Sequence, residues 1–326
     1  MTCSTQRSAN ETIVTLTMNP ALDVTADAEM VCPTDKVRCV GARYDPGGGG
    51  INVAQVAHNL GSSVVAVFPA GGATGDTLTR LLTERGVSFR TAKIADPTRE
   101  SFTVNEISTG LQYRFVLPGP RLSAAEQAAV VDKLRSAAAS AKFVVASGSL
   151  PPGVPSDFYQ RIADMCHGLG VPLVLDTSGK GLQQVSSGVF LIKASVRELR
   201  ECVGRELVSE SEQMAAAREL VQAGRAEVVV VSLGSKGALL ATSTVCQRFD
   251  AIPLRAVSGV GAGDAMVAAI TVGLARGWPV STSVRYGVAA GAAMMLTPGT
   301  LPCTKAETER LFEVAAEPAE VGVVCA

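Results

Sequence analysis

Histidine is nearly missing from this chain: His58 and His167 are the whole supply in 326 residues. Two imidazoles leave little room for a His-rich metal centre or a His-driven proton relay. The eight cysteines are scattered and no two form a C-x-x-C pair, so zinc and thioredoxin-like motifs lack their spacing. They are also too sparse for a disulfide scaffold, and reduced structural thiols are expected. An excess of charge is absent too. With 29 Lys+Arg against 30 Asp+Glu, the formal net charge of −1 offers no bulk attraction to nucleic acid or an anionic membrane. The segment Met1 to Glu11 is polar and shows no apolar signal-peptide core. The longest weakly polar stretch, Tyr286 to Leu296, is too short and too rich in Ala and Gly to span a bilayer. A cytoplasmic protein with no nucleic-acid or membrane partner is expected. Neither G-x-x-x-x-G-K-[ST] nor G-x-G-x-x-G occurs, which removes the usual P-loop and dinucleotide fingerprints.

What is present describes a large core: 47% of residues are hydrophobic and only 18% charged. Ile13–Met18, Val64–Phe68, Phe143–Ala146, Leu173–Leu175, Phe190–Ile192 and Val228–Val231 are short, largely β-branched and unalternating, as strands buried on both faces are. Helical segments are expected between them at Ile51–Leu60, Asp76–Arg85, Ala124–Ala139, Ser156–Leu169, Val196–Val203, Glu210–Ala223 and Ala265–Arg276. That alternation predicts a doubly wound, mostly parallel α/β sheet with helices on both faces. Lys36–Tyr44 and Arg99–Val116, with a turn at Ser108-Thr109-Gly110, alternate polar and apolar residues and predict a small antiparallel lid with one wet face. We expect one domain over 11–326, with a lid formed by about 34–45 and 97–117 and loose tails at 1–10 and 317–326.

The most informative segment is Ser258-Gly259-Val260-Gly261-Ala262-Gly263-Asp264, running directly into an apolar helix. A glycine-rich turn opening a helix leaves unpaired N–H groups at the positive end of the helix dipole, a setting suited to phosphate. Asp264 then places a carboxylate beside that anion hole. Taken alone, the segment reads equally well as an ordinary acidic first turn. Near the N-terminus, Asn19-Pro20-Ala21-Leu22-Asp23 closes the first strand, and Pro46 to Ala54 carries four glycines into the first helix. Gly71-Gly72-Ala73-Thr74-Gly75-Asp76 supplies a further small-residue turn. With Asp23 and Asn52 at their mouths, these turns could surround a polyol, because Asp accepts hydroxyl hydrogens and Asn both donates and accepts.

From about Ile13 to about Lys305 the sequence resembles the ribokinase-like (PfkB) carbohydrate kinases. The resemblance is carried in order by Asn-Pro-Ala-Leu-Asp (19–23), Gly-Gly-Gly-Gly-Ile-Asn-Val-Ala (47–54), Gly-Ser-Leu-Pro-Pro-Gly (148–153), Val-Ser-Leu-Gly (231–234) and Val-Gly-Ala-Gly-Asp (260–264). Gly-Ser-Leu-Pro-Pro-Gly is similar to the branch that phosphorylates sugar phosphates. Gly49, where fructose-1-phosphate and tagatose-6-phosphate kinases usually show Lys, looks most like the minor bacterial 6-phosphofructokinases.

The resemblance implies ATP-dependent phosphorylation of fructose 6-phosphate at its C1 hydroxyl, with Asp264 as general base and the N–H groups of Gly261, Ala262 and Gly263 as anion hole. It implies Asp23, Gly48, Asn52 and Ser149 for the sugar phosphate, and Arg38 and Arg99 for its existing phosphate. Lys193, Ser195, Ser232 and Gly234 fall at nucleotide positions, and Lys36 matches a position near a second, inhibitory nucleotide. Asp176 and Glu198 sit where the family gathers carboxylates around hydrated Mg2+. Ser258, Val260, Met294, Thr297 and Gly299 match a monovalent-ion site, which suggests K+. A homodimer clasped through the lid strands is implied as well. Two departures stand out: the family's Asn-x-x-Glu reads Ser195-Val196-Arg197-Glu198, and the Arg expected after Gly-Thr is Leu301. Competing expectations are a kinase for fructose 1-phosphate, tagatose 6-phosphate or an unphosphorylated sugar, and, because of Ser195, a weakly catalytic sugar-phosphate sensor.

Overall fold

The computed structural model describes residues 12–255, 258–297 and 301–321. Strand β1 (Ile13–Leu16) is buried along its whole length, as an unalternating apolar run must be when helices cover both faces of a sheet. The chain then leaves the main body for β2 (Ala21–Ala28) and β3 (Val40–Gly47) of a separate small sheet. It returns through α1 (Gly49–Asn59), β4 (Val64–Ala70), α2 (Gly72–Glu84) and β5 (Ser88–Lys93). A second excursion gives β6 (Arg99–Glu106) and β7 (Gln112–Val116), after which α3 (Ala124–Ala138) re-enters the body. There follow β8 (Phe143–Ser147), α4 (Phe158–Leu169), β9 (Leu173–Asp176), α5 (Lys180–Gln183), β10 (Val189–Ser195), α6 (Val196–Val203), α7 (Glu210–Gln222) and β11 (Ala226–Ser232). The chain ends in β12 (Gly237–Ala241), β13 (Cys246–Asp250), α8 (Ala262–Ala275), α9 (Val280–Met294), α10 (Lys305–Val314) and β14 (Ala319–Glu320).

The body sheet has the order β14-β13-β12-β11-β10-β9-β8-β1-β4-β5. From β5 to β11 the pairs are parallel, and β12, β13 and β14 are added antiparallel. Successive strand residues serve opposite cores, as a period of two requires. Ile13, Val145, Leu191 and Val230 face α1, α8 and α9, whereas Val14, Val144, Ile192 and Val229 face α3, α4 and α7. The expected doubly wound body is therefore present. Three helices on the second face begin with reciprocal Ser/Glu capping boxes, at Ser123/Glu126, Ser195/Glu198 and Ser209/Glu212.

The small sheet departs from its expectation in three ways. Its order is β3-β2-β6-β7, and the central pair β2–β6 is parallel because the whole α1–β5 excursion separates those strands. Its first member, β2, carries Asp23, which therefore stands on a lid strand and not in a loop closing β1. Strand β3 starts at Val40, so residues 34–39 form an irregular strap ahead of it. The C-terminal expectation changes too: Ala319–Glu320 pair with Arg248 and Gln247 at the sheet edge, where a loose tail was expected. The root of the lid is tied to the body by Asp45, wholly buried, which accepts hydrogen bonds from Arg43 at 2.7 Å and from Arg85 at the end of α2.

Candidate active site

A cleft of about 370 Å3 opens where the lid overhangs the C-terminal ends of the parallel strands, the usual place for ligands in an open α/β sheet. The first turns of α1 and α8 converge on it. Close approach fixes α1: a Cβ on Gly50 would lie 2.4 Å from the Leu16 carbonyl oxygen, so only glycine lets the helix start there. Helix α8 is capped by Gly261 with φ +78°, a left-handed conformation that glycine adopts without strain. Its dipole and the first-turn N–H groups point into the cleft, which is lined by Gly259, Val260, Gly261 and Gly263.

Asp264 follows in the first turn of α8. One carboxylate oxygen accepts from Asn52 Nδ2 at 2.9 Å, and the other lies 3.5 Å from Ser147 Oγ. Burial, reinforced by Asp176, pushes its carboxyl up to about 6, against the opposing pull of Asn52, Lys193 and Ser147. Lys193 at the end of β10 stands beside Gly263: a Cβ there would come within 2.7 Å of Nζ. The ammonium is 3.1 Å from Asp176 Oδ2. Burial alone would lower its pKa, but Asp176, Asp264 and Glu198 outweigh that and hold it above the ordinary value.

Across the cleft, the lid supplies Asp23 and Arg99. Burial pushes the Asp23 carboxyl up to about 6 in spite of nearby Arg99 and Arg114. Arg99 donates to three backbone carbonyls, those of Asn19 (3.1 Å), Pro20 (3.4 Å) and Leu117 (3.0 Å). It thereby bridges two of the points where the chain crosses between body and lid. Ser149 also lines the cleft and accepts from Asn19 Nδ2 at 3.2 Å.

Asp23, Gly48, Asn52, Arg99, Ser149, Asp176, Lys193, Glu198, Val260, Gly261, Gly263 and Asp264 thus share one cleft, while Ala262 follows its cap in α8. Arg38 and Lys36 do not join them: both are exposed on the strap outside the cleft. Ser195, Ser232 and Gly234 also lie outside its lining. Ser195 and Ser232 are register partners on β10 and β11, and Gly234 is exposed just beyond. Ser195 Oγ donates to Glu198 Oε2 at 2.8 Å and caps α6, so the residue in place of the family's Asn has a structural partner. Ser258 N–H donates to the Met295 carbonyl at 3.2 Å and Thr297 Oγ1 to the Met294 carbonyl at 2.8 Å, which brings the Ser258–Val260 loop against the end of α9. Gly299 lies outside the described residues.

The Gly71–Asp76 turn does not reach the cleft; it opens α2 beside β5, where it lines a separate cavity. Several lining residues are not among the sequence candidates, and the polar ones nearest the chemistry are Arg114, Ser147 and Thr177. Arg114 alternates with Tyr113 and Phe115 on β7, a signal that could have placed it on the wet face. Nothing local marks Ser147 or Thr177. Thr177 and Tyr159 both donate to the Gly148 carbonyl, at 2.9 and 2.7 Å, and fix the loop that carries Ser149.

The pfkB family carbohydrate kinase pattern matches residues 14–307. The chain is 67% identical over 310 residues to "ATP-dependent 6-phosphofructokinase isozyme 2" of Mycobacterium tuberculosis, covering 95% of this chain and 91% of that protein. Its fold matches phosphofructokinase-2 from Escherichia coli in complex with potassium (TM-score 0.89) and with fructose-6-phosphate (TM-score 0.87). Each is 38% identical, with 93% of this chain and 98% of that one covered. The tetrameric inhibited form of the same protein matches with a TM-score of 0.86 over the same shares, at 37% identity.

Proposed function

This chain belongs to the pfkB family of carbohydrate kinases, and we propose that it transfers the γ-phosphoryl group of ATP to the C1 hydroxyl of fructose 6-phosphate, giving fructose 1,6-bisphosphate and ADP. The observation that carries the reading is the meeting, in one cleft, of Asp264 at a helix N-terminus with Asp23, Arg99 and Arg114 on the lid. Asp264 takes the proton of the acceptor hydroxyl as its oxygen bonds to the γ-phosphorus and the bond to ADP breaks. The N–H groups of the 261–263 turn and the Lys193 ammonium stabilise charge on the group in flight. A carboxylate is a weak base, but a loose phosphoryl transition state depends more on alignment and charge than on base strength. Asp23, Gly48, Asn52 and Ser149 hold the sugar. Arg99 and Arg114 suit its phosphate, since a guanidinium binds such oxygens in a planar fork.

Among the described residues, no three His, Cys, Asp or Glu side chains gather closely enough to cage a metal. Asp176 and Glu198 offer hard oxygens in the cleft, which fits Mg2+ that keeps most of its waters. Bound with the nucleotide, Mg2+ would supply charge neutralisation on the phosphates. K+ is proposed at the Ser258, Val260, Met294 and Thr297 loop, together with Gly299.

The acceptor is tested by ADP release with fructose 6-phosphate, fructose 1-phosphate, tagatose 6-phosphate and unphosphorylated fructose. Fructose 6-phosphate is expected to give the highest kcat/KM, and a preference for the unphosphorylated sugar would sink the reading. The lid exposes Tyr44, Phe102 and Phe115, neighbours in one register row across β3, β2, β6 and β7 and each at least 37% exposed. An apolar face of this kind on a thin sheet favours burial against a second copy, so we propose a homodimer through the lid. Sedimentation at micromolar concentration is expected to show a dimer or a larger even assembly, and a monomer would remove the clasp.

A further inference from the structure

The base has one tight side-chain partner, and it comes from a different helix. Asn52 Nδ2 donates to Asp264 Oδ2 at 2.9 Å, whereas the contact of Oδ1 with Ser147 Oγ, at 3.5 Å, is at the limit of a hydrogen bond. Asn52 is itself firmly placed. Its N–H donates to the Gly48 carbonyl at 2.9 Å, and its neighbours Ile51, Val53 and Ala54 are fully buried. The amide cannot turn over without setting its carbonyl oxygen against an ionised carboxylate oxygen. In this orientation Asn52 Oδ1 is enclosed and has no hydrogen-bond donor among the described residues, although Asn52 lines the cleft. An acceptor left in that state beside a ligand cleft points to a donor arriving with the ligand.

We propose that Asn52, beyond the hold on the sugar already assigned to it, is a positioning residue for the base: from the first turn of α1 it fixes the plane of the Asp264 carboxylate. The inference rests on reading Asp264 as the base. Substrate seating and base alignment then run through one amide group. A sugar that presents its hydroxyl to Oδ1 sits at a set distance from the carboxylate that Nδ2 holds. Charged or hydrogen-bonding groups reach Asp264 from β8 (Ser147), β9 (Asp176), β10 (Lys193) and α1 (Asn52). Of these, Asn52 belongs to the helix that abuts α8 at the site and carries no charge of its own.

The test is the pH profile of kcat at saturating substrates for Asn52→Ala, Asn52→Ser and Asn52→Asp, each checked for folding by its melting curve. A hydrogen bond donated to the charged form favours that form. Asn52→Ala is therefore expected to move the acid limb of kcat to higher pH by about one unit. Asn52→Asp, which adds a like charge, should move it further, and Asn52→Ser should fall between Ala and the parent. A residue that only touches the sugar would raise KM and leave the limb in place; unmoved limbs in all folded variants overturn the inference. Asp264→Asn separates the two readings. If that variant keeps its rate, the base assignment fails. If it is dead while the Asn52 limbs stay put, the positioning role alone fails.

Discussion

Asp264→Asn is expected to lower kcat by about a thousandfold, the typical contribution of a positioned general base, with the KM for the sugar phosphate changed only severalfold. The amide keeps the shape of the carboxylate and can still accept from Asn52, so the cleft should survive. What is lost is the proton acceptor. The measurement is ADP release, with calorimetry to show that the sugar phosphate still binds; a rate within tenfold of the parent would refute the role. The same variant should be more stable at pH 8. Burial raises the Asp264 carboxyl to about 6, above its ordinary 3.8, so the folded state binds protons more readily than the unfolded chain. Ionisation therefore costs the fold stability at high pH, and that cost fades as pH falls through about 6 and is gone below about 4. Removing the charge should gain on the order of 2 kcal/mol at pH 8 and nothing at pH 4, read from urea unfolding. Activity lost together with stability gained would mark a group kept for chemistry at the expense of the fold.

Lys193→Met is the second large effect, and its origin differs. Lys193 and Asp176 are both nearly buried, and their charges face each other at 3.1 Å. Removing only the cation leaves Asp176 enclosed without compensation, which typically costs about 3 kcal/mol or more. Burial already raises the Asp176 carboxyl, and without Lys193 it should rise further. The folded state then takes up a proton more readily, so the destabilisation is fullest at high pH and is relieved on acidification. Turnover should fall as well if, as proposed, the ammonium beside Gly263 meets phosphate oxygens. The double variant Asp176→Asn/Lys193→Met separates the two effects. Stability should largely return, since neither partner is left unpaired, while activity should not. A single variant as stable as the parent at pH 8 would show that the pair is not a coupled buried unit.

The strongest sequence signals were those where local chemistry dictates backbone shape. Unalternating β-branched runs became the central strands, and the Gly261 turn with Asp264 became the head of α8, because a left-handed cap and close helix approach leave few residue choices. Helix α9 was missed for the opposite reason. It is buried nearly all round, from Ser283 to Met294, and a helix with no wet face shows no 3.6-residue period. Strand β2 was missed because Asp23 reads as a loop residue after Pro20, and only its pairing with both β3 and β6 makes it a strand. Arg38 is given to the substrate's phosphate by the family resemblance alone, and within one chain its exposed strap does not reach the cleft. Arg99 does reach it, but nothing in its neighbours foretold three backbone carbonyls as partners.

The position of β1 also bears on how the chain is made. Ile13 pairs with Val64 on one side and with Phe143 on the other. The second neighbour is synthesised about 130 residues later, so the middle of the sheet is a long-range contact and slow to close. At ~10 residues per second, an emerging β1 waits on the order of ten seconds for β8. Throughout that interval Ile13–Leu16 presents an open apolar edge on the nascent chain. Substitutions that weaken the β1–β4 pair should therefore lower the soluble yield from rapid expression more than they lower the melting point of the finished protein.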